Sequence, residues 1–309
     1  MDHQISVIIP TANRPEALAH ALASLRAQEI KDIQAVVVND GGADVTEAVA
    51  PFRADFALEL LELEGNRGPS AARNAALEIA DGDFVTFLDD DDVLLPGHFD
   101  AVLPVLASGE ADVVYTTMLV SDVRAEPTAE GYRDARPAFN YDFDRGFLLM
   151  ANYIPPLGLT MRRPAPAGPR FDPAIRLAED WELWLRMDRD GYRFHHVPAA
   201  TAVYHRLPRH EHKADPTGAE SQAVHAFQVG YSHLCELWPV AADSPAARGR
   251  ALVQRAYEIG FVQLDEHKTS LSPFWWESML RVLHDQNTGE LAQADVEAAL
   301  YKAVTGVTG

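Results

Sequence analysis

Phe84-Val85-Thr86-Phe87-Leu88-Asp89-Asp90-Asp91-Asp92-Val93-Leu94 joins five apolar or β-branched residues directly to four consecutive carboxylates. Such a run predicts a buried strand whose C-terminal end is an acidic edge. Adjacent anions in a folded site repel and need a counter-charge, and a divalent cation held by oxygen ligands is the simplest partner. The alternative is a solvated turn in which Asp90 and Asp92 face water and none of the four does chemistry. What the rest of the chain brings to that edge decides between them.

On either side of this stretch, strand and helix patterns alternate. Ile5 to Ile9 is a short apolar strand ended by Pro10, and Pro15 opens a helix that carries Leu18, Leu22 and Leu25 on one face. Ala35 to Val38 is a second strand, followed by a Gly-containing loop in which Asp44 is a good N-cap for a helix with Val45, Val49 and Phe52. Leu58 to Leu63 is a third strand and Pro69 to Ala80 a helix. After the strand at 84–88, Pro96 opens another helix, and Asp112 to Val120 is a fifth strand. This alternation predicts βαβ units and a mainly parallel sheet flanked by helices. Ligands then bind beyond the carboxyl ends of the strands. Thr11, Asp40, the Gly68–Arg73 turn and Asp89–Asp91 all lie just past strand ends and are expected to converge on one crevice.

Composition narrows the function classes. The 309-residue chain is 47% hydrophobic and carries a net charge of −20, which excludes general binding to a nucleic-acid backbone. A single cysteine, Cys235, excludes an internal disulfide and a cysteine zinc site. Met1-Asp2-His3-Gln4 lacks a basic signal-peptide start and no apolar run approaches ~18 residues, so a cytoplasmic protein without a transmembrane segment is expected. Neither G-x-x-x-x-G-K-[ST] nor G-x-G-x-x-G occurs, which removes the usual phosphate cradles of P-loop and Rossmann proteins. An EF-hand fails as well, because the sixth position counted from Asp89 is Leu94 where Gly is required.

Ser6-Val7-Ile8-Ile9-Pro10-Thr11-x-Asn13-Arg14, Val38-Asn39-Asp40-Gly41-Gly42, Asn66-Arg67-Gly68-Pro69-Ser70-Ala71-Ala72-Arg73-Asn74 and Phe87-Leu88-Asp89-x-Asp91-Asp92 resemble, in order, the N-terminal motifs of family 2 glycosyltransferases with the GT-A fold. Glu179-Asp180-Trp181-x-Leu183-Trp184 is similar to that family's Glu-Asp motif. The likeness covers about residues 4 to 206; the Q-x-x-R-W signature of processive synthases is absent. The resemblance implies a single-transfer, inverting enzyme that binds a nucleoside diphosphate sugar, UDP- or dTDP-linked, with Mg2+ or Mn2+ on the diphosphate. In that scheme Asp91 contacts the metal and Asp89 lies nearer the ribose. Arg73 adds a guanidinium to the nucleotide or diphosphate, and Thr11 and Asp40 hold the base. Pro10, Asn13, Arg14, Gly68 and Asp90 complete the donor side, and His205 joins Asp91 at the metal. Asp180 is the expected general base, because a sugar hydroxyl is a poor nucleophile until its proton is removed. The acceptor is a carbohydrate or glycoconjugate.

The bland alternatives make Glu179 and Asp180 a charge pair on a helix N-terminus and His205, His210 and His212 a surface metal site or a solvated loop. Two other functions compete: a sugar nucleotidyltransferase, and a non-catalytic carbohydrate-binding or scaffolding protein. A catalytic region is expected over 1–215, with a nucleotide half at 1–115 and an acceptor half at 116–215, followed by a helical region at 216–309. Arg124 to Phe143 reads as a mobile loop over the acceptor and Asn152 to Leu159 as its lining. In the helical region, Val224, Phe227, Tyr231, Leu234 and Trp238 share a stripe, as do Trp276, Met279, Leu280 and Leu283. Core packing is the first reading of these helices, and a homodimer or acceptor recruitment through Phe274-Trp275-Trp276 the second.

Overall fold

In a computed structural model, residues 3–206 and 219–307 are described. His210, His212 and the expected boundary at 215/216 lie outside them. The chain divides into two compact units, Met1–Phe143 with Ile154–Leu207, and Asp144–Tyr153 with Pro208–Gly309.

The first unit contains β1 (Ile5–Thr11), α1 (Pro15–Arg26), β2 (Ile33–Asn39), α2 (Thr46–Val49), β3 (Ala57–Glu62), α3 (Pro69–Ile79), β4 (Phe84–Phe87), β5 (Val93–Leu94), α4 (His98–Ser108), β6 (Val113–Ser121) and β7 (Arg136–Ala138). After α5 (Arg145–Leu148), which belongs to the second unit, come β8 (Thr160–Arg162), α6 (Glu179–Arg189) and β9 (Phe194–His205). The sheet order is β3-β2-β1-β4-β8-β6-β9-β5, with β7 paired to β6. From β3 to β4 every neighbour is parallel, as the βαβ pattern requires. Beyond β4 the sheet is mixed: β8 runs antiparallel to both β4 and β6, β9 is parallel to β6, and β5 is antiparallel to β9.

Local chemistry accounts for the element boundaries. Pro15 occupies the first turn of α1, whose Leu18, Leu22 and Leu25 are buried. β1 continues one residue past Pro10. Its pairing with β4 stops at Ile8, so the missing N–H falls where only β2 runs alongside. Asp44 Oδ1 accepts from the Thr46 amide at 2.8 Å, but α2 lasts only one turn before a 3-10 turn buries Phe52. α4 begins at His98 rather than at Pro96, because Gly97 takes a left-handed conformation (φ +83°) between them. The order of β3, β2, β1 and then β4 reverses direction between β1 and β4, which makes this the switch point of the sheet. That is where an open α/β sheet makes a crevice.

The second unit is α5 with α7 (Ala219–Leu237), α8 (Pro245–Phe261), α9 (Trp275–Thr288) and α10 (Val296–Thr305). Residues 144–153, expected in the acceptor half, group with these helices. Tyr231 donates to the Met150 carbonyl at 2.8 Å, Arg250 Nε to the Leu149 carbonyl at 2.7 Å, and a Cβ on Gly249 would meet Met150 Sδ at 2.4 Å. Val224, Tyr231, Leu234, Met279, Leu280 and Leu283 are buried as the stripes predict, whereas Phe227 is exposed. Trp275 and Trp276 are half-buried and pack around Tyr257, with ring centroids 5.6 and 6.4 Å away. Among the described residues no helix is long and apolar enough to cross a membrane.

His98 is fully buried in the first unit, its Nδ1 2.9 Å from Thr201 Oγ1 and its Nε2 without a partner, and burial pushes its pKa down to about 3. A depressed histidine contributes stability that is present above its unfolded pKa and is lost as pH falls toward the folded value. Between pH 6.5 and 4, denaturant unfolding should therefore show the His98→Asn variant losing about 3 kcal/mol less stability than the parent. Parallel stability–pH curves would remove His98 as the source of acid lability.

Candidate functional site

The loops after β1, β2 and β3 are locked together by side chains from the sequence motifs. Asn13, at φ +60°, accepts from the Ala43 amide through Oδ1 at 2.9 Å. The Asp40 amide donates to the Thr11 carbonyl at 2.8 Å. Asp40 is buried, and its two oxygens accept the amides of Arg67 (2.7 Å) and Gly68 (2.8 Å). It thus binds the turn that starts α3 to the end of β2, with Gly68 (φ +88°) as the N-cap. Gly41, at φ +68°, lies so close to this turn that a Cβ would come within 2.3 Å of the Gly65 carbonyl carbon.

The acidic run is a turn closed by the Asp92 amide on the Asp89 carbonyl, 3.1 Å, and its four carboxylates fall into two kinds. Asp90 and Asp92, which the solvated-turn alternative sent to water, are the buried ones. Asp90 accepts from Thr11 Oγ1 (2.7 Å) and Arg14 Nη1 (3.0 Å), and burial still pushes its pKa up. Asp92 accepts the His205 amide at 2.8 Å through Oδ1. Its Oδ2 has no partner, and burial among the neighbouring carboxylates drives its pKa well above the ordinary range. Asp89 and Asp91 keep 32% and 34% of their side-chain surface exposed. Asp91 meets Arg14 Nη1 at 2.7 Å, and its pKa is raised by burial against the pull of that guanidinium; Asp89 meets Arg73 Nη2 at 2.7 Å.

His205, expected as a second metal ligand, is turned into the protein instead. Its Nδ1 is 2.6 Å from the Asp91 carbonyl and its Nε2 2.7 Å from the Tyr132 hydroxyl. A carbonyl only accepts, so Nδ1 carries the proton, and Nε2 faces the phenol. Burial lowers the His205 pKa to about 4, which keeps the ring neutral. Tyr132 gives its one hydroxyl proton to His205 Nε2, accepts the Ala125 amide at 3.1 Å and packs with Val93, Leu95 and Val203, so the segment expected as a mobile cover is pinned to the core at that point. Arg124, on the same segment, acts electrostatically on Asp91, Tyr132 and His205.

Arg73 is almost fully buried. Nη1 donates to Glu179 Oε1 at 2.8 Å, Nη2 goes to Asp89, and its guanidinium lies 5.3 Å from the Phe171 ring centroid. Asp180 follows Glu179 in the first turn of α6 and is half-buried; its Oδ1 accepts from the Trp181 amide at 2.8 Å, and its charge reaches Arg73. One set of contacts therefore links Thr11, Arg14, Asp90, Asp91 and His205, and a second links Asp89, Arg73 and Glu179 beside Asp180. A separate cavity of about 180 Å³, lined by Leu25, Arg26, Ile33 and Phe56, opens at the amino end of β2, away from these residues.

No group of three or more His, Cys, Asp or Glu that would cage a metal occurs among the described residues. Mg2+ and Mn2+ suit a sparser site, since such ions take one or two carboxylates and complete their shell with water and phosphate oxygens. Asp89 and Asp91 fit that requirement: both are half-exposed, they alternate along the turn, and each commits one oxygen to an arginine. Reasoning from sequence missed Glu179 as the partner of Arg73, and it missed the Asp92–His205–Tyr132 contacts and Arg124. Each depends on a separation of 73 to 113 residues, except Arg124, which sits in a segment with no periodic signal.

Comparison with known proteins gives a consistent picture. The family model described as glycosyl transferase family 2 matches residues 6–165. The uncharacterized glycosyltransferase YwdF of Bacillus subtilis is 31% identical over 205 residues, covering 65% of this chain and 74% of its own length. The succinoglycan biosynthesis protein ExoO of Rhizobium meliloti is 27% identical over 216 residues, covering 65% and 60% respectively. The chain aligns with TarS 1-349 of S. aureus at a TM-score of 0.54 and 19% identity, over 97% of this chain and 86% of that one. It aligns with mannosyltransferase PcManGT from Pyrobaculum calidifontis, solved with GDP-Man and Mn2+, at 0.55 and 16% over 97% and 79%.

Asp40→Asn tests the clamp on the 66–68 turn. Replacing one carboxylate oxygen by an NH2 group sets a donor against a backbone donor, so unfolding should be easier by about 1–3 kcal/mol. Calorimetric melting reads the change, and an unshifted melt would mean that the turn does not depend on this carboxylate.

Proposed function

The chain belongs to glycosyl transferase family 2, has the GT-A fold and is a glycosyltransferase, and on that premise we propose that it moves a sugar from UDP-sugar to an acceptor hydroxyl with inversion, assisted by Mg2+ or Mn2+. The observation that carries this is the pair of half-exposed carboxylates, Asp89 and Asp91, at the sheet's switch point, with Asp89 joined through Arg73 and Glu179 to the turn that bears Asp180. Support for the nucleotide comes from a fold neighbour, TarS 1-349, solved in complex with UDP at a TM-score of 0.53 and 18% identity. dTDP-sugar is the second choice of donor, since thymine presents the same N–H to an acceptor carboxylate.

Each residue then has a defined task. Asp40 already accepts two amides, but a carboxylate offers about four lone-pair sites, so it can take one further N–H from a pyrimidine ring. Thr11 spends its proton on Asp90 and presents its oxygen as an acceptor. Asn13 and Gly68 shape the loops around the base, and Pro10 sets the exit of β1. Arg14, more than half exposed and held by Asp90 and Asp91, supplies a guanidinium near the diphosphate. Asp91 and Asp89 would hold the divalent ion, which as a Lewis acid offsets the charge gathered on the leaving diphosphate. Asp180 accepts the proton of the acceptor hydroxyl as its oxygen bonds to the anomeric carbon and the bond to the diphosphate breaks. A single displacement of this kind inverts that carbon. Surface polysaccharide or glycoconjugate intermediates are the proposed acceptors, in line with the succinoglycan relative.

UDP release, measured with UDP-sugars, a carbohydrate acceptor panel and Mn2+, should occur and should stop with chelator. Asp91→Asn is expected to weaken metal-dependent UDP binding. Asp180→Asn should bind UDP normally and lose about 10²–10⁴ in turnover. Wild-type affinity and chelator indifference in Asp91→Asn would falsify the metal assignment, and pyrophosphate release from UTP plus sugar phosphate would indicate nucleotidyl transfer instead.

A further inference from the structure

Arg73 carries a cost that its surroundings do not explain as stabilisation. Its side chain is 5% exposed, its Nε has no partner, and it lies between two carboxylates with a third nearby. Burying a cation in this way is seldom better for stability than an apolar side chain, and an orphaned guanidinium N–H adds to the penalty. Each terminal nitrogen gives one N–H to a carboxylate, and the buried guanidinium lies between those two anions, so its charge is already matched within the protein. What the arrangement does achieve is a rigid link, because the planar fork holds two acceptors at a fixed spacing.

The two acceptors lie on opposite sides of the proposed reaction. Asp89 belongs to the carboxylate turn, and Glu179 immediately precedes Asp180. The fork itself is held in place. Asn74 on α3 exchanges two hydrogen bonds with the backbone of Phe171, at 2.8 and 2.9 Å, and the Phe171 ring supports the guanidinium. α6 is anchored further along by Trp181 and Trp184, both buried, with Trp184 Nε1 on the Ile154 carbonyl at 2.8 Å. Its first turn follows Ala178 in a left-handed conformation (φ +60°), and the Glu179–Arg73 contact orients it from the site side.

We propose that Arg73 is a positioning residue: through Asp89 and Glu179 it ties the metal-side turn to the helix turn that presents Asp180, and it does not itself bind the diphosphate. This deepens the glycosyl-transfer assignment and rests on it for its catalytic consequence. Its structural consequence stands apart, because the link exists in the ligand-free protein.

The experiment compares Arg73→Lys and Glu179→Gln with the parent by hydrogen exchange without ligand, by calorimetric titration with UDP and Mn2+, and by steady-state kinetics. In Arg73→Lys, amides at 89–92 and 179–183 should exchange about tenfold faster while those of β1 and β2 are unchanged. UDP affinity and donor KM should stay within about threefold, and kcat should fall at least about thirtyfold, since the lost interaction acts on the base and not on ground-state binding. Glu179→Gln should move the same quantities in the same direction. A tenfold loss of UDP affinity in Arg73→Lys with unchanged exchange at 179–183 would overturn the proposal and make the guanidinium a phosphate ligand. If Arg73→Lys does not fold, an unchanged kcat and unchanged exchange in Glu179→Gln would overturn it equally. Absence of UDP binding and turnover in the parent would instead sink the functional assignment, and the exchange measurements would still decide whether Arg73 links the two turns.

Discussion

Four carboxylates in sequence at the end of β4 are the constraint around which the first unit is built. Placed side by side in a partly buried turn, they repel, and the protein meets this by giving each a hydrogen-bond donor. Thr11 and Arg14 take Asp90, Arg14 also takes Asp91, Arg73 takes Asp89, and a backbone amide from β9 takes Asp92. No two of these partner groups come from the same strand, so β1, β9 and α3 all converge on the end of β4. The charge problem and the assembly of the crevice are one problem with one solution.

β4 is buried throughout, and burial begins to alternate only in the turn that follows it. Asp90 and Asp92 are shielded from water there and their protons are held more tightly. Asp89 and Asp91 keep about a third of their side-chain surface exposed. Packing, not residue type, separates the two kinds of carboxylate here. Neighbours in sequence thus have opposite surroundings.

That distinction marks what could be read from the sequence and what could not. The parallel half of the sheet was legible because Ile5–Thr11, Ile33–Asn39 and Phe84–Phe87 are apolar runs punctuated by helices with proline at their first positions. Val93–Leu94, Arg136–Ala138 and Thr160–Arg162 were not legible as strands: at two or three residues they have no period of their own and are strands only through distant partners. The site divides the same way. Thr11, Asp40 and the Asp run stand next to strand ends, where the sheet pattern places them, whereas the sequence context of His205 says nothing about the Tyr132 hydroxyl and the Asp91 carbonyl that engage its two nitrogens.

The His205 contacts hold the turn in place while Asp89 and Asp91 remain partly exposed. Its amide holds the Asp92 side chain and its ring holds the Asp91 carbonyl, so the turn is held from beneath at two successive residues, once by a side chain and once by the main chain. A neutral ring suits this role better than a charged one, since an imidazolium at that depth would compete for the same carboxylates that the crevice presents outward. The histidine braces the acidic edge from the inside with its ring uncharged.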